Sequence, residues 1–118
     1  MSAESWALPD LLAQTQSVDF TWAPLRPGVE QHTLYGNLDG TGPGAAILRY
    51  AAGAAIPYHR HDGYEHVYVL AGSQRDHRGT YRAGDLVINP PGSAHDVVSD
   101  DGCTVLLIWE RPVVFVDR

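Results

Sequence analysis

The sequence predicts an all-β chain closed into a barrel or sandwich, and three observations carry that reading. Twelve glycines and eight prolines are scattered between short apolar runs, the punctuation of strands and turns. The runs themselves are rich in Val, Tyr and Ile, which suit a pleated, half-buried surface. The length of 118 residues, 44% of them hydrophobic, fits one core and one domain over residues 1–118.

Along the chain, a short irregular N-terminal segment comes first. Residues 5–16 predict one short helix with Leu8, Leu11 and Leu12 on one side, its start restricted by Pro9. Residues 19–22 predict a short strand that Pro24, Pro27 and Gly28 end, and residues 31–35 a second, stopped by Gly36-Asn37 and the glycine-rich run 39–44. Ile47, Leu48 and Tyr50 mark a strand over 45–52, closed by Gly53. Residues 64–70 read as a clear strand, Ala71-Gly72 as a turn, and 73–81 as a polar hairpin with Gly79 near its tip. A strand over 84–88 runs into the sharp turn Asn89-Pro90-Pro91-Gly92. Strands over 95–99, 103–109 and 113–116 complete the chain, with Asp100-Asp101-Gly102 as the turn between the first two.

The net charge is −6, and all eight basic residues are arginine. An acidic chain without a basic stripe is a poor partner for nucleic acid or an anionic membrane. Cys103 is the only cysteine, so neither an internal disulfide nor a cysteine-rich zinc site is open to the chain. No signal-peptide pattern and no run long enough to span a bilayer is present, so a cytoplasmic protein is expected.

The chemistry concentrates in three histidines and a glutamate. His59 and His61 are two apart and share a face of an extended chain. Asp62-Gly63 permits a bend that returns Glu65 to the same interior point, and His95 follows the Pro90-Pro91-Gly92 turn. Three imidazoles and a carboxylate make a nitrogen/oxygen site for one divalent metal ion such as Zn, Fe, Mn, Ni or Cu. Neutral imidazole supplies lone pairs without burying net charge.

The spacing around these residues resembles the two motifs of the cupin superfamily. Gly53, His59, His61, Glu65 and Gly72 match every fixed position of Gly-x5-His-x-His-x3-Glu-x6-Gly. Gly84, Pro90, Gly92 and His95 match Gly-x5-Pro-x-Gly-x2-His-x3-Asn, with Ser99 in place of the final Asn, which is not a metal ligand in the family. The motifs cover residues 53–99. The resemblance implies a single cupin (RmlC-like) jelly-roll β-barrel with His59, His61, Glu65 and His95 as metal ligands, and pairing as a homodimer through strand edges. The wording around His59–Glu65, Val69–Gly72, Asn89–His95 and Asp101–Cys103 is similar to the ChrR-type cupins. That group includes the cupin half of zinc anti-sigma factors and stand-alone proteins similar to acetylacetone-cleaving dioxygenases. The first 45 residues hold one His and no Cys, so a complete anti-sigma factor with its own N-terminal zinc domain is not expected.

The other candidates have plainer readings. His66 alternates against Glu65 and is expected to face outward, His77 to be solvated in its hairpin, and His32 to stand outside the motifs. Cys103 reads as a buried small hydrophobe. Val67 and Val69 should form an apolar wall on the side of Glu65, with Tyr58, Arg49 and Trp109 as further pocket candidates. Two functions follow. An octahedral Fe or Mn ion keeps positions for water, dioxygen or a chelating substrate and suits oxygenase or lyase chemistry on a small dicarbonyl or phenolic compound. A nearly closed tetrahedral Zn suits a non-catalytic sensor that binds a small effector.

Overall fold

Ten strands and one short helix make up the fold in the computed structural model, which describes residues 3–117. The helix α1 spans Leu11–Thr15 and is followed by β1 (Ala23–Arg26), β2 (Val29–Tyr35), β3 (Gly44–Tyr50) and β4 (Ala54–Arg60). Then come β5 (Glu65–Asp76), β6 (Gly79–Arg82), β7 (Leu86–Asn89), β8 (Ala94–Ser99), β9 (Cys103–Trp109) and β10 (Val114–Phe115). Every strand pairs antiparallel, in the order β1-β2-β3-β9-β5-β8-β4-β10, with β6 and β7 also on β5. The sheet curls so that β4 and β8 face β3, β9 and the first half of β5. The core between them joins Ile56 and Val97 to Leu48, Val67, Val105 and Leu107. This is the curled all-β architecture expected from the strand pattern, and it agrees with the jelly roll that the resemblance to cupins implies. Among the described residues, no helix is long and apolar enough to cross a membrane.

Four elements differ from the sequence expectation. The helix is one turn over Leu11–Thr15, not the whole of residues 5–16, because Asp10 turns into the left-handed region at φ 50° directly before it. The first strand lies at Ala23–Arg26, beyond the expected 19–22 and across Pro24, which an edge strand tolerates. An unexpected strand, β4, occupies Ala54–Arg60; Pro57 hides it in the sequence, and the register is irregular between Ile56 and His59, where a bulge accommodates the proline.

The fourth difference shapes the site. Ala71-Gly72 is not a turn: β5 runs through it for twelve residues, with a register shift between Val69 and Ala71. The shift exchanges the two faces of the strand. Before it Glu65, Val67 and Val69 are buried; after it Gln74 is buried, and the Asp76 side chain is only 1% exposed. One strand thereby serves both layers, pairing β9 and β7 with its first half and β6 and β8 with its second.

The first motif's glycines have physical reasons. Gly72 has φ 74°, and a Cβ there would drive into the Gly102 carbonyl of the neighbouring chain. Gly53 has φ 84° with open space around it. The left-handed backbone alone costs an L residue about 1–2 kcal/mol. Gly53→Ala is therefore expected to lose about that much stability in urea denaturation, and Gly72→Ala distinctly more. Equal losses would contradict the steric role assigned to Gly72.

Candidate metal centre

His59 and His95 are direct cross-strand neighbours on β4 and β8, with ring centroids 4.7 Å apart. The β4 bulge turns His59 inward on the same side as Ile56. His61 lies just beyond β4, tied to the proline turn by two backbone hydrogen bonds: its N–H donates to the Ser93 carbonyl (2.8 Å), and the Gly92 N–H donates to its carbonyl (2.8 Å). Gly92 adopts φ 91°, which lets the turn double back onto His61. The structure thus brings His59, His61 and His95 together, with ligand atoms all within 4.8 Å of one another, and all three rings are buried.

Each ring is held from outside by its Nδ1. His59 Nδ1 donates to the Pro57 carbonyl at 2.8 Å, and His95 Nδ1 to Asp76 Oδ2 at 2.9 Å. His61 Nδ1 donates to Ser93, whose carbonyl lies at 3.1 Å and whose Oγ lies at 2.9 Å. The Ser93 hydroxyl spends its own proton on the Pro90 carbonyl (2.6 Å), so its Oγ is free to accept. With every Nδ1 acting as donor, the neutral rings carry their lone pairs on Nε2, the tautomer that metal-binding histidines adopt.

Glu65 stands outside that group of three and approaches His61 from the opposite layer. It is 7% exposed, its Oε1 lies 3.3 Å from His61 Nε2, and it accepts a 3.2 Å hydrogen bond from Asn89 Nδ2, its cross-strand neighbour on β7. Arg78 in turn donates to Asn89 Oδ1 at 3.3 Å. His61 Nε2 is buried and has no hydrogen-bond partner. A lone pair facing a carboxylate oxygen at that distance calls for a positive charge between or beside them, and the donor set fits a divalent cation.

Electrostatics agree with neutral rings at His59 and His95. Burial pushes His59 down to about 4, aided by the nearby His95 and His61 and opposed by the Pro57 carbonyl and Glu65. Burial also lowers His95, against the opposing influence of Asp76. Burial by itself would raise Asp76, but hydrogen bonds from His95, the Arg78 amide and the Tyr81 hydroxyl outweigh it and hold the carboxyl below its ordinary range. His95 therefore meets Asp76 as a neutral ring donating to a carboxylate.

Beside the histidines lies a cavity of about 230 Å³. His59, Glu65 and His95 line it together with apolar Leu48, Ile56, Val67, Val97 and Leu107. Arg26 and Phe115 also line it, the guanidinium 4.2 Å above the ring, and Phe115 packs edge-on against His59. Of the expected wall residues, Val67 lines the cavity while Val69 lies in the core without lining it. The three further pocket candidates are elsewhere. Arg49 pairs with Glu30 at 2.7 Å and stacks over Trp22, Trp109 is buried in the core, and Tyr58 does not line the cavity. His32 stacks on Phe20 and bonds the Thr21 carbonyl, His77 is exposed, and His66 is half-buried on the side of β5 opposite Glu65. Cys103 is buried, and burial raises its thiol. Sequence reasoning missed Asp76, Ser93 and Asn89. Only an unbroken β5 with its faces exchanged would have pointed to Asp76.

A curled antiparallel sheet of this topology, gathering imidazoles between its layers, is a cupin positioned to bind a metal. Within that class the chain belongs to the ChrR cupin-like domain family, whose profile matches residues 10–112. It is 33% identical over 99 residues to the anti-sigma-E factor ChrR of Cereibacter sphaeroides, covering 82% of this chain but only 45% of that protein. The chain thus spans less than half the length of this relative. Among solved structures, it resembles the anti-sigma ChrR in complex with SigE from Rhodobacter sphaeroides (TM-score 0.68, 31% identity, 80% of this chain and 50% of that one). It also shares the fold of an acetylacetone dioxygenase from Acinetobacter johnsonii (TM-score 0.79, 18% identity, 99% of this chain and 80% of that one).

The lowered His59 gives a pH dependence with a definite sign. Between the ordinary 6.5 and about 4, the unfolded chain takes up a proton that the folded chain refuses. Stability is complete above 6.5 and is lost as pH falls through that window, by on the order of 3 kcal/mol. Urea titrations of metal-free protein from pH 7 to 4 should show this loss, and His59→Asn should flatten it. An unchanged slope in the variant would contradict a buried neutral His59.

Proposed function

We propose that the chain is a metal-dependent enzyme acting on a small organic molecule, with His59, His61, His95 and Glu65 as the ligands of one divalent ion, Zn, Fe, Mn or Ni. The observation that carries this reading is the buried, partnerless His61 Nε2 facing Glu65 Oε1 across 3.3 Å. When bound, such an ion supplies a Lewis acid and a template for dioxygenase-like or lyase-like chemistry on a compound with oxygen donors. The chain's own residues do the rest. Pro57, Ser93 and Asp76 fix the rings and their tautomers, Asn89 aims Glu65, and the apolar wall of the cavity excludes water around the bound molecule. The fold shared with an acetylacetone dioxygenase supports an enzyme of this kind. A single buried thiol suits a reducing cytoplasm.

The second reading is a non-catalytic sensor, favoured by the 33% identity to an anti-sigma factor. The same site and cavity would then hold an effector. Metal content separates the two: protein purified without added metal should carry Fe or Mn for the enzyme and stoichiometric Zn for the sensor. An iron-loaded sample should consume oxygen with acetylacetone or a related β-diketone, and silence would favour the sensor. His61→Ala is expected to lose the metal and lower the melting temperature together, since binding free energy is linked to folding. Asp76→Asn should weaken metal affinity about 10–100-fold in chelator competition while keeping the fold. Full retention of metal in both variants would overturn the ligand assignment.

We also read the chain as a homodimer. On the outer face of the sheet, Ile88, His66 and Ile108 are cross-strand neighbours, and Leu86, Tyr68 and Leu106 form the next row. These two rows carry no Asp, Glu or Arg, the Arg49–Glu30 pair on the same face lying beyond them towards β2. Because β7 pairs on one side only, a second copy related by a two-fold axis can bury the apolar rows against their own counterparts. Light scattering should give about twice the 12.9 kDa chain mass, and Ile88→Glu the single-chain mass. A wild-type monomer would sink this assignment.

A further inference from the structure

Gln74 lines the same cavity as His59, Glu65 and His95, from the second half of β5. It is only 7% exposed, and its Nε2 is buried without a hydrogen-bond partner. An unpaired amide in an apolar wall costs about 1–3 kcal/mol, and a functional site is where such a cost is tolerated. Val67 and Val97 beside it offer no acceptor, and Asp76, Tyr81 and Asn89, which border a small void on its other side, do not accept from its Nε2. We propose that Gln74 is a specificity residue: its side-chain amide donates to an oxygen on the arm of a small organic ligand whose chelating head lies at the histidines. The ligand class is therefore a compact compound, largely apolar, with oxygen donors at one end and a separate carbonyl acceptor along its length. A hydrocarbon arm of the same shape would leave the amide unsatisfied and bind less well.

This inference rests on the metal reading above, and the test keeps the two apart. Zinc-loaded protein is titrated calorimetrically with two β-diketones of equal length, one bearing a butyl arm and the other a 3-oxobutyl arm, in wild type and in Gln74→Met. Zinc content is measured first in both proteins; its absence defeats the metal reading, whereas zinc bound with no selectivity defeats this inference alone. The expected result is that wild type prefers the oxobutyl compound and that Gln74→Met loses about tenfold of that preference while the butyl compound binds unchanged or tighter. Equal loss for both compounds, no preference in wild type, or no binding of either overturns the proposal. As a readout that needs no substitution, the wild-type Gln74 side-chain amide is also followed by NMR. Its proton signals should shift with the oxobutyl compound and stay in place with the butyl one; identical shifts overturn the proposal independently of any substitution.

Discussion

Three imidazole lone pairs and one carboxylate share a volume that solvent barely reaches, and much of the surrounding structure answers the electrostatic problem this creates. Protonating His59 and His95 is opposed by burial, which pushes His59 down to about 4. Leaving them neutral sets the His61 lone pair against Glu65 at 3.3 Å. Neither state is comfortable without a further positive charge, and a divalent ion relieves both difficulties at once. The outer hydrogen bonds only make sense in that light. Pro57, Ser93 and Asp76 each accept a hydrogen bond from an Nδ1–H, which keeps the opposite nitrogen bare.

The fold supplies this arrangement through local irregularities more than through regular strands. A bulge at Pro57 turns His59 inward and also presents the carbonyl that holds its ring. A second irregularity, beside Gly72, lets one strand contribute Glu65 from one layer and Asp76 from the other. Both sit where a plain alternation of faces would have placed the wrong side chains against the site. The glycine and proline spacing of the motifs is thus the backbone counterpart of the histidine pattern.

That division explains what was legible in the sequence. His59 and His61, two apart, and His95, three after Gly92, carry their geometry in their spacing, because extended backbone and a proline turn leave few other directions. The strands over 65–70 and 103–109 announce themselves through Val, Leu and Tyr. The strand at Ala54–Arg60 did not, since Pro57 reads as a break until the bulge is seen. Asp76 and Gln74 were equally hidden: their inward direction depends on a register shift between Val69 and Ala71, several residues before either, fixed by Gly102 approaching Gly72 and by no local propensity. Arg49 looked like a pocket residue because a strand arginine needs a partner, and it has one outside the barrel, in Glu30 and Trp22.

Membership of the ChrR cupin-like domain family settles the class, while the shared ancestry with an anti-sigma factor and the shared fold with a dioxygenase pull the function in different directions. The residues that distinguish the two readings are the same four donors and the cavity beside them, so the centre itself is the place to look. The most direct measurement is anomalous diffraction from crystals of protein grown in medium with trace metals only. The account predicts one anomalous peak within about 2.0–2.2 Å of His59, His61 and His95 Nε2 and of a Glu65 oxygen. Density refined with these four donors turned away from one another, and the metal absent or bound elsewhere, would contradict it.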